Sequence, residues 1–325
     1  MRKSVLGRTG LEISEIALGG GVTGGILINA SESTRWAALQ RAVAGGINWI
    51  DTAPLYGNGA SEEAIGRHLS VLSPRPHVST KVRLERPDMG DIAGAIRRSL
   101  EQSLERLRLE RVALLQLHNQ IGTGIGDRPP LATHQVLGAV ADTFDQLKEE
   151  GLIQASGISA VGSTEACLEV IESGRFDTAQ IYYNAINPSA TWSRATAQWK
   201  GQDFCGLMAA CWRLNMGVLG IRVMAGGVLA SPRRPERLAM MTSDTDLDHE
   251  VRCAAAVRAA LGASYGAPAQ VALRFTLGNR DLSSRVIGVT ELAQLDEAFA
   301  AVERGPLPPE AIAKLDQLWA TDFFM

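Results

Sequence analysis

Eight short apolar runs, each followed by a longer stretch with helical spacing, recur along this 325-residue chain. The runs are SEIALGG, INWID, HVSTKV, VALLQLHN, IQASGIS, TAQIYYN, GVLGIRV and SRVIGV. Between them lie a helical pattern over about 33–44, SEEAIGRHL, DIAGAIRRSLEQSLERL, a long pattern over about 132–149, STEACLEVIESG, a pattern over about 203–214, further helices within 249–277, and ELAQLDEAFAAV. Near-continuous apolar runs of this length suit parallel strands buried on both faces. No Ser/Gly-rich linker or compositional break divides the pattern, so residues 1–325 read as a single domain. Eight βα units in one domain predict an α/β fold, a (β/α)8 TIM barrel, with length left over for an N-terminal β-hairpin and extra helices.

Composition excludes several function classes. A formal net charge of −3 gives no electrostatic attraction for nucleic acid or an anionic membrane. No apolar run approaches the roughly 18 residues of a transmembrane helix, and the opening MRKSVLGRTG has no signal-peptide core, so the chain is expected to be cytoplasmic. Cys167, Cys205, Cys211 and Cys253 form no CxxC pair and sit in helix-like contexts. They are expected to be reduced thiols, with neither a disulfide framework nor a metal site.

The run GGGVTG, residues 19–24, satisfies the GxGxxG pattern of a dinucleotide-binding turn. Such a turn needs a helix opening at its third glycine and an acidic residue about twenty positions on. Here GILINAS follows Gly24, which delays the helix beyond Ser31, and no Asp or Glu lies between Glu32 and Asp51. The run is better explained as a loop that lets another group approach the barrel mouth closely.

In a barrel of this kind the chemistry sits at the C-terminal ends of the strands and in the loops after them. Those stations hold Asp51, Lys81 and His118, with Tyr56 in the loop DTAPLYGNG. Singly, an Asp there caps a turn, a Tyr covers a rim and a His is structural. Lys81 is harder to explain so, because the chain has five lysines against 27 arginines, and arginine serves a structural ion pair at least as well. Together the four form a proton-donating device. A phenol is a poor acid at neutral pH, and a neighbouring cation stabilises its phenolate. Lys81 supplies that cation, Asp51 keeps the buried ammonium charged, and His118 can orient a substrate oxygen.

These segments resemble the aldo-keto reductase superfamily over nearly the whole chain. VLGRTGLEIS is similar to that family's N-terminal hairpin, DTAPLYG to its Asp-and-Tyr motif, STKV to its lysine strand and LQLHN to its histidine strand. The resemblance implies an NAD(P)(H)-dependent oxidoreductase acting on an aldehyde, a ketone or the corresponding alcohol. Tyr56 would be the general acid/base, tuned by Lys81 and Asp51, and His118 would orient the carbonyl. It also leaves open a sugar or hydroxyaldehyde dehydrogenase working oxidatively, and a cofactor-sensing interaction protein like the potassium-channel β-subunits.

By the same resemblance Ser159 and Gln180 hold the nicotinamide carboxamide, while Ala160 stands where the family commonly has asparagine. Gly21 is assigned to the cofactor side of the mouth. Either Ile221 or Arg222 stacks on the nicotinamide. In VIGVTELAQLDEAFAA, Gly288 allows backbone approach, and Thr290, Gln294 and Glu297 point to the adenosine, with Ala298 replacing a usual asparagine. No Lys or Arg occurs between Arg285 and Arg304, so weak discrimination between NADPH and NADH is expected. The substrate is expected to be a small molecule, met by loops that mix apolar, aromatic and charged residues. The C-terminal Trp319, Phe323 and Phe324 are expected to pack on the barrel exterior rather than close the mouth.

Overall fold

A computed structural model describes residues 1–124, 129–191, 199–235 and 246–323. An antiparallel hairpin, β1 (Lys3–Val5) and β2 (Glu12–Ser14), precedes eight parallel strands: β3 (Ile16–Gly19), β4 (Trp49–Asp51), β5 (His77–Val82), β6 (Val112–Leu117), β7 (Ile153–Ser159), β8 (Thr178–Tyr182), β9 (Gly217–Ile221) and β10 (Ser284–Ile287). Neighbours in sequence are neighbours in the sheet, and β10 pairs with both β9 and β3, which closes the barrel. All eight predicted strands are present. Closure leaves the barrel no free edge.

Apolar strand residues face two ways, and each face has its own core. Between strands and outer helices lies a large cluster that includes Leu18, Ile50, Val82, Leu117 and Ile181. Inside the barrel lies a smaller one of Ala17, Trp49, Leu114, Ala155 and Leu219, which Leu6 and Ile13 of the hairpin segment join. The interior therefore has an apolar floor. The strand period of two carries the next inward residues up to the mouth, where polar side chains take over.

Side-chain caps start several outer helices. Ser31 accepts from Thr34 N to open Glu32–Ala44, Asp91 accepts from Gly94 N to open Ile92–Leu107, and Ser163 accepts from Ala166 N to open Thr164–Glu172. The helical pattern expected over 132–149 is interrupted. A first turn at Thr133–Gln135 passes through a widened turn at Val136–Val140 before the regular helix Ala141–Glu149. Gly138, at φ −93° and ψ −105°, takes up the distortion.

The glycine run after β3 also differs in detail from expectation. A one-turn helix, Ile26–Asn29, follows Gly25, whose φ is 72°. Gly24 lies against the chain after β10: a Cβ there would fall 2.4 Å from Val289 N and 2.6 Å from Gly288 C. Ile26 N donates to Val289 O at 3.1 Å. The run is thus a close crossing of the first and last βα loops.

Trp319 packs outside the barrel as expected. It is buried, its Nε1 donates to Ala185 O at 2.9 Å, and it meets the Phe275 ring edge-on. Phe323 packs against the same core, and Phe324 lies outside the described residues. The four cysteines are free thiols. Among the described residues no helix is long and apolar enough to cross a membrane.

Candidate active site

The residues expected at the strand ends do meet. A cavity of about 390 Å³ opens at the C-terminal mouth, and Asp51, Tyr56, His118, Ser159, Gln180 and Ile221 are among the residues that line it. Asp51 is the last residue of β4, Lys81 the penultimate residue of β5, and His118 follows β6 directly. Parallel register sets them side by side, with Asp51 opposite Ser79 and Lys81 opposite Gln116.

Lys81 is the hub. Its side chain is 1% exposed, and Nζ donates to Asp51 Oδ2 at 2.5 Å and to Thr52 O at 3.0 Å. The same nitrogen stands over the Tyr56 ring, 5.0 Å from the centroid. The His118 ring meets Tyr56 edge-on, with centroids 5.8 Å apart at 88°. The other oxygen of the carboxylate, Asp51 Oδ1, accepts from Ser79 Oγ at 2.9 Å, Gln116 Nε2 at 3.1 Å and Gln180 Nε2 at 2.9 Å. One carboxylate thus accepts from four side chains and has no need to donate.

Burial alone would push the Lys81 ammonium down. Asp51 and Tyr56 oppose that, and the net direction is up, so the cation persists. For Tyr56 the largest effect is burial, which raises the phenol; Lys81 pulls it back, Asp51 adds to the rise, and the net direction is up. This corrects the simple expectation of a lowered phenol: the cation's pull is present but smaller than the desolvation of the phenolate. A phenol above its ordinary value stays protonated through neutral pH, the form in which it can give a proton.

The residues assigned to the cofactor separate into two groups. Gly21, Ser159, Gln180, Ile221, Arg222 and Gly288 all line the cavity. Gly21 lies against the Tyr56 ring, its hypothetical Cβ 3.4 Å from Cζ. Gln180, on the cavity wall, commits Nε2 to Asp51, which leaves the side-chain oxygen Oε1 as its acceptor. Among the described residues Ser159 Oγ is buried without a hydrogen-bond partner. Arg222, at φ 61°, likewise has Nε and Nη2 buried without partners among them.

Thr290, Gln294 and Glu297 do not line this cavity. They sit at the start of the helix Leu292–Arg304, where Gln294 Oε1 accepts from Thr290 N at 2.8 Å and Glu297 is exposed. Arg285 points away from the mouth altogether. It is buried, with Nε and Nη2 on Thr276 O at 3.1 and 2.8 Å and Nη1 on Leu282 O at 3.0 Å.

Sequence reading missed Ser79, Gln116 and Arg83. The first two hold Asp51, and Arg83 lines the cavity two residues beyond Lys81. The signal for them was available: each lies two positions from Lys81 or His118 on the same strand run, and so on the same inward face.

The fold and this constellation define a class, and comparison with known proteins agrees. The sequence profile of the Aldo/keto reductase family matches residues 15–320. The chain belongs to that family. It is 27% identical to L-galactose dehydrogenase of Arabidopsis thaliana over 303 residues, 91% of this chain and 86% of that protein. It is 28% identical to D-threo-aldose 1-dehydrogenase of a Pseudomonas species, covering 90% of this chain and 91% of that one. In fold it matches a crystal structure of an aldo-keto reductase from Klebsiella pneumoniae in complex with NADPH, with a TM-score of 0.70 at 20% identity, covering 98% of this chain and 95% of the other.

Proposed function

We propose that the protein is an NAD(P)(H)-dependent oxidoreductase that reduces an aldehyde or ketone to an alcohol, with Tyr56 as general acid. The observation that carries this is Lys81 Nζ, which bridges the Asp51 carboxylate and the Tyr56 ring in a buried site.

The residues present fit a nicotinamide dinucleotide. Ser159 Oγ is a buried polar atom that needs a partner, and the free carbonyl oxygen of Gln180 complements it, so a carboxamide could exchange one donor and one acceptor with the pair. The Nε and Nη2 edge of Arg222 is the side of a guanidinium that grips an anion bidentately. Gly21, Gly24 and Gly288 keep side chains out of the path between them. Ala160 is fully buried and offers no polar group. When bound, such a cofactor would supply or accept the hydride.

The chain's own residues handle the proton and the orientation. His118 and Tyr56 line the cavity side by side, so a carbonyl oxygen within reach of the Tyr56 hydroxyl and the His118 imidazole would accept a hydrogen bond from each. As negative charge grows on that oxygen, the Tyr56 hydroxyl transfers its proton, and the phenolate left behind is stabilised by Lys81. Asp51 keeps Lys81 charged through the step. The apolar floor beneath limits water to the open side of the cavity.

A second direction has specific support, because the two relatives named above are called dehydrogenases of sugars. Oxidation of an aldose would run the same groups in reverse, with Tyr56 accepting the proton. Turnover of a panel of aldehydes, ketones and free sugars in both directions, at saturating NAD(H) and NADP(H), tests both. Cofactor binding without turnover of any panel member would reject both directions and leave a cofactor-sensing role.

A further inference from the structure

Below the lysine, tyrosine and histidine lies a hydrogen-bond chain that begins in the apolar floor. Trp49 is fully buried there, and its Nε1 donates to Ser79 Oγ at 2.9 Å. Ser79, also fully buried, has two acceptors within reach, Asp51 Oδ1 at 2.9 Å and Ile50 O at 3.5 Å. An indole nitrogen can only donate, so the serine hydroxyl must accept from it. Its single proton then goes to the nearer and negatively charged acceptor. The direction of the chain is therefore fixed, from Trp49 through Ser79 into Asp51.

The strand register explains why these residues meet. Trp49 and Asp51 are two apart on β4, Ser79 and Lys81 two apart on β5, and Asp51 pairs with Ser79. All four share the inward face. Ser79 therefore loads Oδ1 from below, while Gln116 and Gln180 load the same oxygen from the other strands. Among the described residues Oδ2 is left to Lys81 alone.

We propose that Ser79, aimed by Trp49, is a positioning residue of the proton relay, holding Asp51 as the negatively charged partner that keeps the proton on Lys81. The proposal rests on the general-acid role of Tyr56 given above. Without the serine donor, the negative charge on Asp51 is less stabilised in a buried site. The proton on Lys81 Nζ can then pass along the 2.5 Å hydrogen bond to Oδ2, leaving a neutral amine and a neutral acid. The ionisable groups around this point are Asp51, Lys81, Tyr56 and His118, with Arg83 and Arg222 on the wall of the same cavity. Loss of the lysine's charge removes the cation that stands over the phenol ring, and Tyr56 becomes a weaker acid.

The test is the pH profile of kcat for reduction of 4-nitrobenzaldehyde, with NADPH or NADH saturating, in the full-length protein. Ser79→Ala should lower kcat at pH 7 by roughly tenfold to a hundredfold, the span of a hydrogen bond to a charged group. It should also move the alkaline limb up by about one pH unit and change cofactor Kd by less than about twofold. A purely structural loss would lower amplitude or melting temperature without moving that limb. Trp49→Phe should shift the limb the same way but less, because it leaves the serine present and only frees its direction. The double variant should show the limb of Ser79→Ala, since the tryptophan acts through the serine. A wild-type limb in Ser79→Ala, or additive shifts in the double variant, overturns the proposal. Should Ser79→Ala not fold, an unshifted limb in Trp49→Phe overturns it alone. Tyr56→Phe is run beside these: substantial turnover there removes the relay itself and the proposal with it, whereas an inactive Tyr56→Phe with an unshifted Ser79→Ala removes only the proposal.

Discussion

The Lys81 ammonium stands 5.0 Å from the centroid of the Tyr56 ring, while its hydrogen bonds run to Asp51 and Thr52. The cation is thus held by acceptors on one side and presented to the phenol on the other. Tyr56→Phe keeps the ring and this contact but removes the transferable proton. Carbonyl reduction should fall by at least two orders of magnitude, since general acid catalysis contributes about 10² to 10⁴, with cofactor Kd nearly unchanged. Lys81→Met should be comparably severe, and it leaves the Asp51 carboxylate buried without its cation. Steady-state rates alongside a cofactor titration check both, and near-normal turnover of Tyr56→Phe would reject the assignment.

Much of this site was legible because strand and loop positions in a barrel map simply onto the mouth. A polar residue at the C-terminal end of an apolar run has one place to go: Asp51 and His118 line the cavity, and Lys81 is buried against Asp51 and the Tyr56 ring. The layer beneath was written in the same period-two code at Trp49, Ser79 and Gln116, but these residues look like ordinary strand residues until their partners are known. Where the chain leaves the strands, local pattern was insufficient. Thr290, Gln294 and Glu297 follow β10 as expected, yet their side chains lie off the central cavity. Arg285, which in sequence bounds the segment without Lys or Arg, turns to the carbonyls of Thr276 and Leu282. The direction of an arginine at a strand start is set by tertiary packing, and no periodicity encodes it. The net rise of the Tyr56 phenol was also beyond pattern, because it depends on how completely the mouth surrounds that group.

Glu250 gives a pH dependence of stability. On the helix Leu247–Leu261 its Oε2 is buried without a partner, and burial raises the carboxyl from 4.5 to about 7, against a downward pull from Arg222. Between those values the folded state holds a proton that the unfolded chain has released. Stability therefore falls as pH rises from 4.5 through about 7 and is unaffected by this group below that window. A shift of that size corresponds to at most about 3 kcal/mol, and solvent contact of this half-buried side chain reduces it to roughly 1–2 kcal/mol. Glu250→Gln should raise the melting temperature at pH 8 by about 2–5 °C and change it little at pH 5. Equal shifts at the two pH values would show that the carboxyl does not titrate in this window.

Gly24→Ala tests the crossing of the first and last βα loops. The added methyl would lie 2.4 Å from Val289 N and 2.7 Å from Gly288 Cα. Both are backbone atoms, so the loops must separate, at a cost of about 1–3 kcal/mol. Because Gly288 lines the cavity, cofactor Kd should rise about tenfold, the lower part of that range expressed as affinity, without binding being abolished. Thermal melting and fluorescence titration read the two effects, and an alanine variant unchanged in both would mean that the loops do not need this contact.

The discrimination between NADPH and NADH follows from where the cations are. A 2′-phosphate carries nearly two negative charges and is held best by charge-assisted hydrogen bonds. Between Arg285 and Arg304 the chain has none to offer, and the structure removes Arg285 itself, which is buried against the carbonyls of Thr276, Asn279 and Leu282. At the start of the helix Leu292–Arg304, Gln294 already takes the Thr290 amide proton, and Glu291 adds a negative charge. Arg234 is paired with Asp248, and Arg258 donates to Val228 O. Within residues 285–304 what remains is the exposed hydroxyl of Thr290 and neighbouring amides. Each missing charge-assisted bond forgoes about 1.5–3 kcal/mol, which is a tenfold or greater preference per bond. NADH should therefore bind with a Kd within about tenfold of that for NADPH. Fluorescence quenching titrations at low ionic strength measure the ratio, and a preference for NADPH beyond about a hundredfold would exceed what a hydroxyl and backbone amides supply. That result would require a basic side chain from outside the segment 285–304 to reach the phosphate, and arginine-to-alanine substitutions screened for loss of the preference would find it.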